Sequence, residues 1–330
     1  MSRRRRVGVI GSFVWDVIHG REGRSAPVEE WGGITYALGA LDAALADDWE
    51  IVPIAKIGHD LAPRAHDFLR SLRRLAPDAA LVEVPQRNNR VELRYTSDER
   101  RSEILSGGVP PWTWLGLAPL VRDLDALYVN LISGFELDVE TALLLRQHVR
   151  GPIYLDLHSM LLAVQPDGLR TPRTIPDAPL WCRTADVLQV NEDEMRLLAE
   201  DPMALAAVAM REGVRCLCVT LGSRGMVYVA APGYEGIDVA HWGPSEAPRV
   251  SGPLGTVRTA LVPAAPTRGD GAGDPTGCGD VWGATQFARL LAGDSFTDAI
   301  AAAHRAAARN VDHRGATGLS QYLRGSLHSS

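Results

Sequence analysis

Apolar stretches of strand length recur along the chain, at Val7 to Val14, Ile51 to Ile57, Ala126 to Ile132, Ile153 to Leu157, Asp186 to Val190 and Cys216 to Leu221. Between several of them the apolar positions return with helical period, as in Ile34 to Ala46, Leu137 to His148 and Glu192 to Ala199. A strand that is apolar on both faces needs cover on both, and amphipathic helices between such strands supply it. The pattern predicts an α/β fold: a three-layer α/β/α sandwich around a mostly parallel central sheet. One stretch breaks the rhythm. Arg90-Val-Glu-Leu-Arg-Tyr-Thr96 alternates polar and apolar residues, Ser97 to Arg101 supplies a turn, and Ser102 to Ser106 resumes. That alternation marks an antiparallel hairpin with one wet face. The Gly-rich segment around residues 14–34 lacks helical period and is expected to join it as a small β lid over the carboxyl edge of the main sheet.

The expected organisation is a single domain over 1–330, with its core at about 1–13, 37–84 and 110–318 and a lid inserted from about 14–36 and 85–109. Pro110-Pro-Trp-Thr-Trp114 ends the lid, with its tryptophans placed either to cover the lid base or simply to pack. The Gly- and Pro-rich segment Ala231 to Asp270 reads as short strands and a loop beside a ligand. No internal repeat is present.

Composition narrows the class. A chain of 330 residues, 46% hydrophobic and 22% charged, buries a full core and is neither disordered nor collagen-like. Its net charge of −6, from 34 basic and 40 acidic residues, argues against a nucleic-acid binder. Cys182, Cys216, Cys218 and Cys278 are too few and too irregular for a disulfide framework, and no second ligand pair is spaced for a metal. Arg3 to Arg6 lead into an apolar run too short for a signal peptide and without a cleavage site, so they read as a basic tail. No apolar run reaches the roughly 20 residues that span a bilayer. A soluble, cytoplasmic protein is expected.

The strongest local chemistry lies in Gly273-Asp-Pro-Thr-Gly-Cys-Gly-Asp-Val-Trp-Gly-Ala284, which opens an alanine-rich helix running to about Ala292. Glycines at a helix start let a ligand approach the backbone, while free N–H groups and the helix dipole attract an anion. Asp280 falls in the first turn, beside that anion hole, where it is placed to take a proton from a hydroxyl. An ordinary capped helix start has the same look. Asp274 also ends a small-residue run, but Pro275-Thr-Gly277 follows it and the helix begins too late for it to serve as the base. Asn191 and Glu194 share a helix face after a strand, a spacing that equally describes a capping box. Thr220, Gly222 and Gly225 open a tight turn after another strand, a plain β-turn on its own.

Taken together these segments resemble the ribokinase-like, or PfkB-type, carbohydrate kinases. Asp274 to Asp280 matches the family's Asp-x-Thr-Gly-Ala-Gly-Asp with Cys for the central Ala, and Asn191 with Glu194 matches its Asn-x-x-Glu. Val219 to Gly225 resembles the nucleotide-side turn, while Gly11 to Asp16, Trp31-Gly-Gly33 and Ile57-Gly-His-Asp60 resemble the sugar-side elements. They follow the family's order from about residue 7 to residue 318, nearly the whole chain.

The resemblance implies Asp280 as general base, with the backbone amides of Gly277, Cys278 and Gly279 holding the transferring phosphate. It implies that Glu194 orients Mg²⁺ through water with Asn191 beside it, and that Thr220, Gly222 and Gly225 lie along ATP. Asn310 and Gly315 would border the adenine, and Asp274 would help bind a monovalent cation such as K⁺. Asp16, ending the first strand, would accept hydrogen bonds from sugar hydroxyls, and Gly32 and Gly33 would let the backbone approach the sugar. Arg90 and Arg94 alternate onto one lid face, where they either reach an acidic or phosphorylated acceptor or are simply solvated. His59 and His158 read equally as ligands and as structural histidines. Two departures stand out: Ala37 takes the place of a substrate-binding Asn four residues after Gly33, and Pro63 replaces a glycine beyond Asp60. Phosphoryl transfer is therefore better supported than any named sugar.

The implied activity is ATP-dependent transfer of a phosphoryl group to a hydroxyl of a small sugar-like acceptor. A nucleoside acceptor, or a non-catalytic nucleotide- or sugar-binding sensor on the same fold, are the alternatives. A dinucleotide oxidoreductase is disfavoured because Gly8-Val-Ile-Gly11 lacks the G-x-G-x-x-G spacing. A homodimer through the lid would cover its exposed sheet.

Overall fold

The computed structural model describes residues 3–19, 27–95, 101–242, 255–267 and 273–325. In chain order, β1 (Arg5–Ile10), β2 (Phe13–His19) and β3 (Val28–Gly33) precede α1 (Ile34–Ala44). Next come β4 (Trp49–Ile54), β5 (Lys56–Gly58), α2 (Ala62–Arg70), β6 (Val82–Val84), β7 (Arg90–Tyr95), β8 (Arg101–Ser106) and α3 (Trp114–Leu117). Then follow β9 (Ala126–Asn130), α4 (Val139–His148), β10 (Ile153–Asp156), β11 (Leu162–Val164), β12 (Arg170–Pro172), α5 (Ala178–Cys182) and β13 (Val187–Asn191). The chain continues through α6 (Glu192–Leu198), α7 (Pro202–Arg211), β14 (Cys216–Thr220), β15 (Met226–Ala230) and β16 (Arg258–Val262). It closes with α8 (Cys278–Leu291), α9 (Phe296–Val311) and α10 (Leu319–Leu323).

The main sheet has eight strands in the order β16-β15-β14-β13-β10-β9-β1-β4. It is parallel from β14 to β4, and β15 pairs antiparallel with both of its neighbours. Because side chains alternate along a strand, each apolar run feeds two cores. Val7, Val9, Tyr128, Tyr154 and Val187 pack on one face with Leu38 of α1, Phe68 of α2, Phe287 of α8 and Ile300 of α9. Ile10, Leu127, Val129, Leu155 and Leu188 pack on the other with Leu117 of α3, Leu145 of α4, Trp181 of α5 and Ala209 of α7. The expected α/β architecture, a large mostly parallel sheet flanked by helices, is what forms. Among the described residues no helix is long and apolar enough to cross a membrane.

Two runs expected as single strands are each divided. Val7 to Val14 breaks at Gly11-Ser12, so that β1 joins the main sheet and β2 starts a separate one. Ile51 to Ile57 breaks at Ala55 into β4 and β5. The separate sheet is four-stranded, in the order β3-β2-β7-β8, and it is built from both segments expected of the lid. Trp112 does not cover the lid base: it is buried in the core that holds Ile10 and Ile54, with Lys56 Nζ 4.5 Å above its ring. Trp114 packs its ring against His148.

The β11–β12 hairpin leans on the edge of the small sheet. Ile104 bridges to Leu169, and the Leu105 N–H donates to the Gly168 carbonyl at 2.8 Å. In the unassigned 231–270 segment, β16 forms the outer strand of the main sheet, while residues 243–254 and 268–270 lie outside the described residues. So do residues 97–100 of the expected lid turn.

Candidate active site

In an open parallel sheet the carboxyl ends of the strands leave a crevice where the direction of strand addition reverses. Here that point lies between β1 and β9. A cavity of about 300 Å³ opens over this edge, floored by Asp156, Gln189, Asn191 and Thr220 from the ends of β10, β13 and β14. The first turn of α8 forms one wall, and the small sheet roofs it with Val14, Asp16, Val91, Leu93 and Glu103.

The α8 wall is shaped by its cap. Gly277 stands at the N-cap with φ of 75°, and the Cys278 N–H donates back to the Pro275 carbonyl at 3.1 Å. Asp274 Oδ1 accepts from the Thr276 N–H at 2.9 Å, and Asn310 Nδ2 donates to the Thr276 carbonyl at 2.8 Å. The loop is thus braced from both sides. Of the amides expected to face an anion, those of Gly277, Cys278 and Gly279, Cys278's is engaged by Pro275, Gly277's stands at the N-cap and Gly279's falls in the first turn of the helix. The Cys278 thiol lies against the Ala307 carbonyl at 3.5 Å, and burial pushes it up to about 11, so it stays protonated.

Asp280 is half-buried and borders the cavity. Its Oδ1 accepts from Asn130 Nδ2 at 2.6 Å. Asn130 is fully buried at the carboxyl end of β9. The sequence reading missed it, though a polar residue closing an apolar strand was the available signal. Behind the wall, Gln189 Nε2 donates to Asp156 Oδ2 at 3.0 Å and to the Gly279 carbonyl at 3.1 Å. The Tyr154 hydroxyl donates to Gln189 Oε1 at 2.7 Å.

At the opposite end, Asn191 and Glu194 form a complete capping box. The Asn191 side chain accepts from the Glu194 N–H at 2.9 Å, and Glu194 Oε2 accepts from the Asn191 N–H at 2.8 Å. Glu194 Oε1 also faces His158 Nδ1 at 3.3 Å. His158 is the only non-glycine residue with positive φ, 34°, among the described residues. Burial works against its charge, but the hydrogen bond and charge of Glu194, with Asp280 and Asp156 nearby, outweigh it and raise the imidazole to about 10. Asp156 moves up as well: burial comes first, and Glu194 and Asp280 add to it against the pull of His158.

A histidine raised from 6.5 to about 10 stabilises the fold fully below its unfolded value and loses that contribution as pH rises through its folded one. In EDTA, the melting-temperature gap between wild type and His158→Gln is therefore expected to be largest near pH 6 and to close toward pH 10. A gap constant over that range would show that His158 is not held as an imidazolium.

Asp16 sits inside β2 rather than at the end of the first strand, and it is 7% exposed. Gly32 lies opposite Val14 on β3, diagonal to Asp16, and a Cβ there would overlap the carboxylate, so only glycine leaves Asp16 its place. Gly33 and Tyr36 also border the cavity, and burial, with Asp16 and Asp274 adding to it, raises the Tyr36 phenol and keeps it neutral. Among the described residues no group of three or more His, Cys, Asp or Glu is placed to hold a metal.

Several expected site residues lie elsewhere. Arg94 points out and pairs with Glu92, and Arg90 pairs with Asp60 at 2.7 Å. The strand period puts Val91 and Leu93 on the face shared with Asp16, so the hairpin's polar side faces away from the cavity. Association through that outer face would have to bury Arg90, Glu92 and Arg94. Asn310 is fully buried, braces Thr276 through Nδ2 and is not among the residues that line the cavity. Gly225 packs against Pro263 and Ala264, and Gly315 against Glu30, both outside the cavity lining. Thr220 and Gly222 do line it. His59 is exposed and faces the Gln86 carbonyl. Arg170, which no motif marked, lines the cavity.

A doubly covered parallel sheet, with a small β sheet over its carboxyl edge and a glycine-capped helix facing the gap, makes this a ribokinase-like α/β protein. The profile of the pfkB family of carbohydrate kinases matches residues 156–321. The chain belongs to that family, and so to the phosphotransferases that act on a hydroxyl group. Solved structures share the fold. A nucleoside kinase of Burkholderia thailandensis in complex with inosine has a TM-score of 0.70 at 16% identity, covering 96% of this chain and 94% of that one. A pyrophosphate-dependent kinase in the ribokinase family, complexed with a pyrophosphate analog and myo-inositol, has a TM-score of 0.68 at 17% identity, covering 94% and 96%. Arabidopsis thaliana ribokinase, complexed with ribose and ATP, has a TM-score of 0.65 at 17% identity, covering 98% and 99%. A search of curated protein sequences finds no significant match.

Proposed function

We propose that this chain is an ATP-dependent kinase that phosphorylates a hydroxyl of a small sugar-like acceptor held at Asp16, with Asp280 as general base. The observation that carries this is the position of Asp280: in the first turn of α8, fixed by Asn130 at 2.6 Å, on the wall of the cavity that Asp16 roofs. Asp16 accepts from acceptor hydroxyls and aims one of them at Asp280. Asp280 takes the hydroxyl proton as the oxygen attacks the terminal phosphorus and ADP leaves with the bridging oxygen, and the amides at the start of α8 meet the charge on the phosphoryl oxygens. Thr220 and Gly222 border the donor side. Both Glu194 oxygens already accept hydrogen bonds, which fits a Mg²⁺ held through water rather than directly, and that ion would neutralise donor phosphate charge. Asp274, beside the same loop, is the carboxylate that would serve a monovalent cation such as K⁺.

A nucleoside acceptor is the second reading, favoured by the apolar cavity walls at Val14, Val91, Leu93 and Ile132, which suit a flat base. The test is a coupled ADP-release panel over sugars, sugar phosphates and nucleosides with Mg²⁺-ATP, repeated with pyrophosphate in place of ATP and release of inorganic phosphate as the readout. ADP release that depends on an uncharged polyol or nucleoside supports the proposal. Tight ligand binding without donor consumption across the panel would instead make the protein a sensor on this fold.

A further inference from the structure

We propose that Arg170 is a positioning residue for phosphoryl transfer, clamping the small sheet onto the floor of the cavity. Arg170 sits on β12, its side chain 4% exposed, and it borders the same space as Asp16 and Asp280. Its Nη1 donates to Glu103 Oε2 of β8 at 3.2 Å and to Ser159 Oγ at 3.2 Å. Its Nη2 donates to the carbonyls of Ile132 and Ser133 at 2.9 and 3.2 Å. One guanidinium thus joins the roof, through Glu103, to two floor segments: Ile132-Ser133, just beyond Asn130, and Ser159, next to His158.

The Nη donors are directed at protein groups, the buried Nε–H finds no partner among the described residues and Glu103 balances the charge, so the four Nη contacts tie separate protein segments together. A planar fork with donors on several edges can serve such divergent acceptors at once, and a lysine ammonium cannot match that geometry. The backbone adds a second tie between the same elements, from Leu105 to Gly168. Fixing roof to floor matters chemically because Asp16 hangs from the roof while Asp280 is oriented by the floor through Asn130. Their spacing sets whether an acceptor hydroxyl or a water molecule reaches the phosphorus.

The inference rests on the proposed kinase activity for its consequence but not for its geometry, so the experiment has two readouts. Arg170→Lys and Glu103→Gln are compared with wild type by hydrogen exchange and by steady-state kinetics with the best acceptor found. Arg170→Lys is expected to speed exchange in β8 and β12 while leaving the α8 interior unchanged. It is also expected to raise the acceptor KM about tenfold or more, leave the ATP KM within about twofold, and increase ATP hydrolysis without acceptor. Glu103→Gln, which keeps a hydrogen-bond acceptor, should show the same pattern more weakly, and it carries the test if Arg170→Lys does not fold. Unchanged exchange in both variants would overturn the clamp whatever the activity. A uniform fall in kcat with no KM split and no extra hydrolysis would reduce Arg170 to a stabilising residue. If wild type transfers to no acceptor, the kinase reading fails while the exchange data still decide the clamp.

Discussion

Replacing Asp280 by Asn is expected to lower kcat by about 10²–10⁴-fold, the range for losing a general base, while ATP binding changes little. Asn is isosteric, and its carbonyl can still accept from Asn130 Nδ2, the partner now 2.6 Å away. The fold should therefore survive. What disappears is an oxygen basic enough to take a hydroxyl proton, together with a charge that helps stabilise the α8 N-terminus by about 0.3–1 kcal/mol. Calorimetry of nucleotide binding beside coupled turnover separates the two effects. A variant that keeps turnover within about tenfold of wild type would remove Asp280 as the base.

How much of this was legible in the chain follows from the range of the interactions involved. The doubly apolar strands announced a covered parallel sheet because burial on both faces is written locally, residue by residue. The Asp274 to Asp280 segment was legible for the same reason: its glycines, its cap and its carboxylate all lie within a few residues. The capping box shows where spacing stops. Asn191 and Glu194 do cap α6, and they also line the cavity, so the two readings describe one geometry from different sides. Asn130 meets Asp280 across 150 positions, and no local pattern carries such a pairing. Arg170 was hidden likewise, because its partners Glu103, Ser159 and Ile132 come from separate elements.

Arg94 shows a different limit. The alternation along β7 groups Arg90 with Arg94 but leaves their face open between a ligand and solvent, and Arg94 points out beside Glu92. The cavity takes the apolar side, Val91 and Leu93, which keeps water from the roof carboxylates Asp16 and Glu103. Periodicity tells which residues share a face; which face looks inward depends on how the small sheet sits on the large one. Asn310 fell to a similar limit, since nearness in sequence to a ligand-bordering loop does not say whether a side chain faces the ligand or braces the loop. It braces the loop.

That brace points to the second large effect, at Gly277. With φ of 75° the residue sits where an L side chain costs about 1–2 kcal/mol, and a Cβ there would overlap the Tyr36 ring. The ring is 2% exposed and has nowhere to retreat, so in Gly277→Ala the loop must move instead. The loop carries the amides at the start of α8, and displacing such donors by a fraction of an ångström to one ångström forfeits much of their hold on developing charge. Gly277→Ala is expected to lose about 10²–10³-fold in kcat and about 1–2 kcal/mol in stability. Gly279→Ala is the control for folding: a Cβ there would meet only Gln189 Nε2 at 3.9 Å, so its stability should match wild type. Any activity it loses then reports crowding of the ligand alone. Turnover at the wild-type rate by a folded Gly277→Ala protein would mean that the start of α8 does not hold the transferring group.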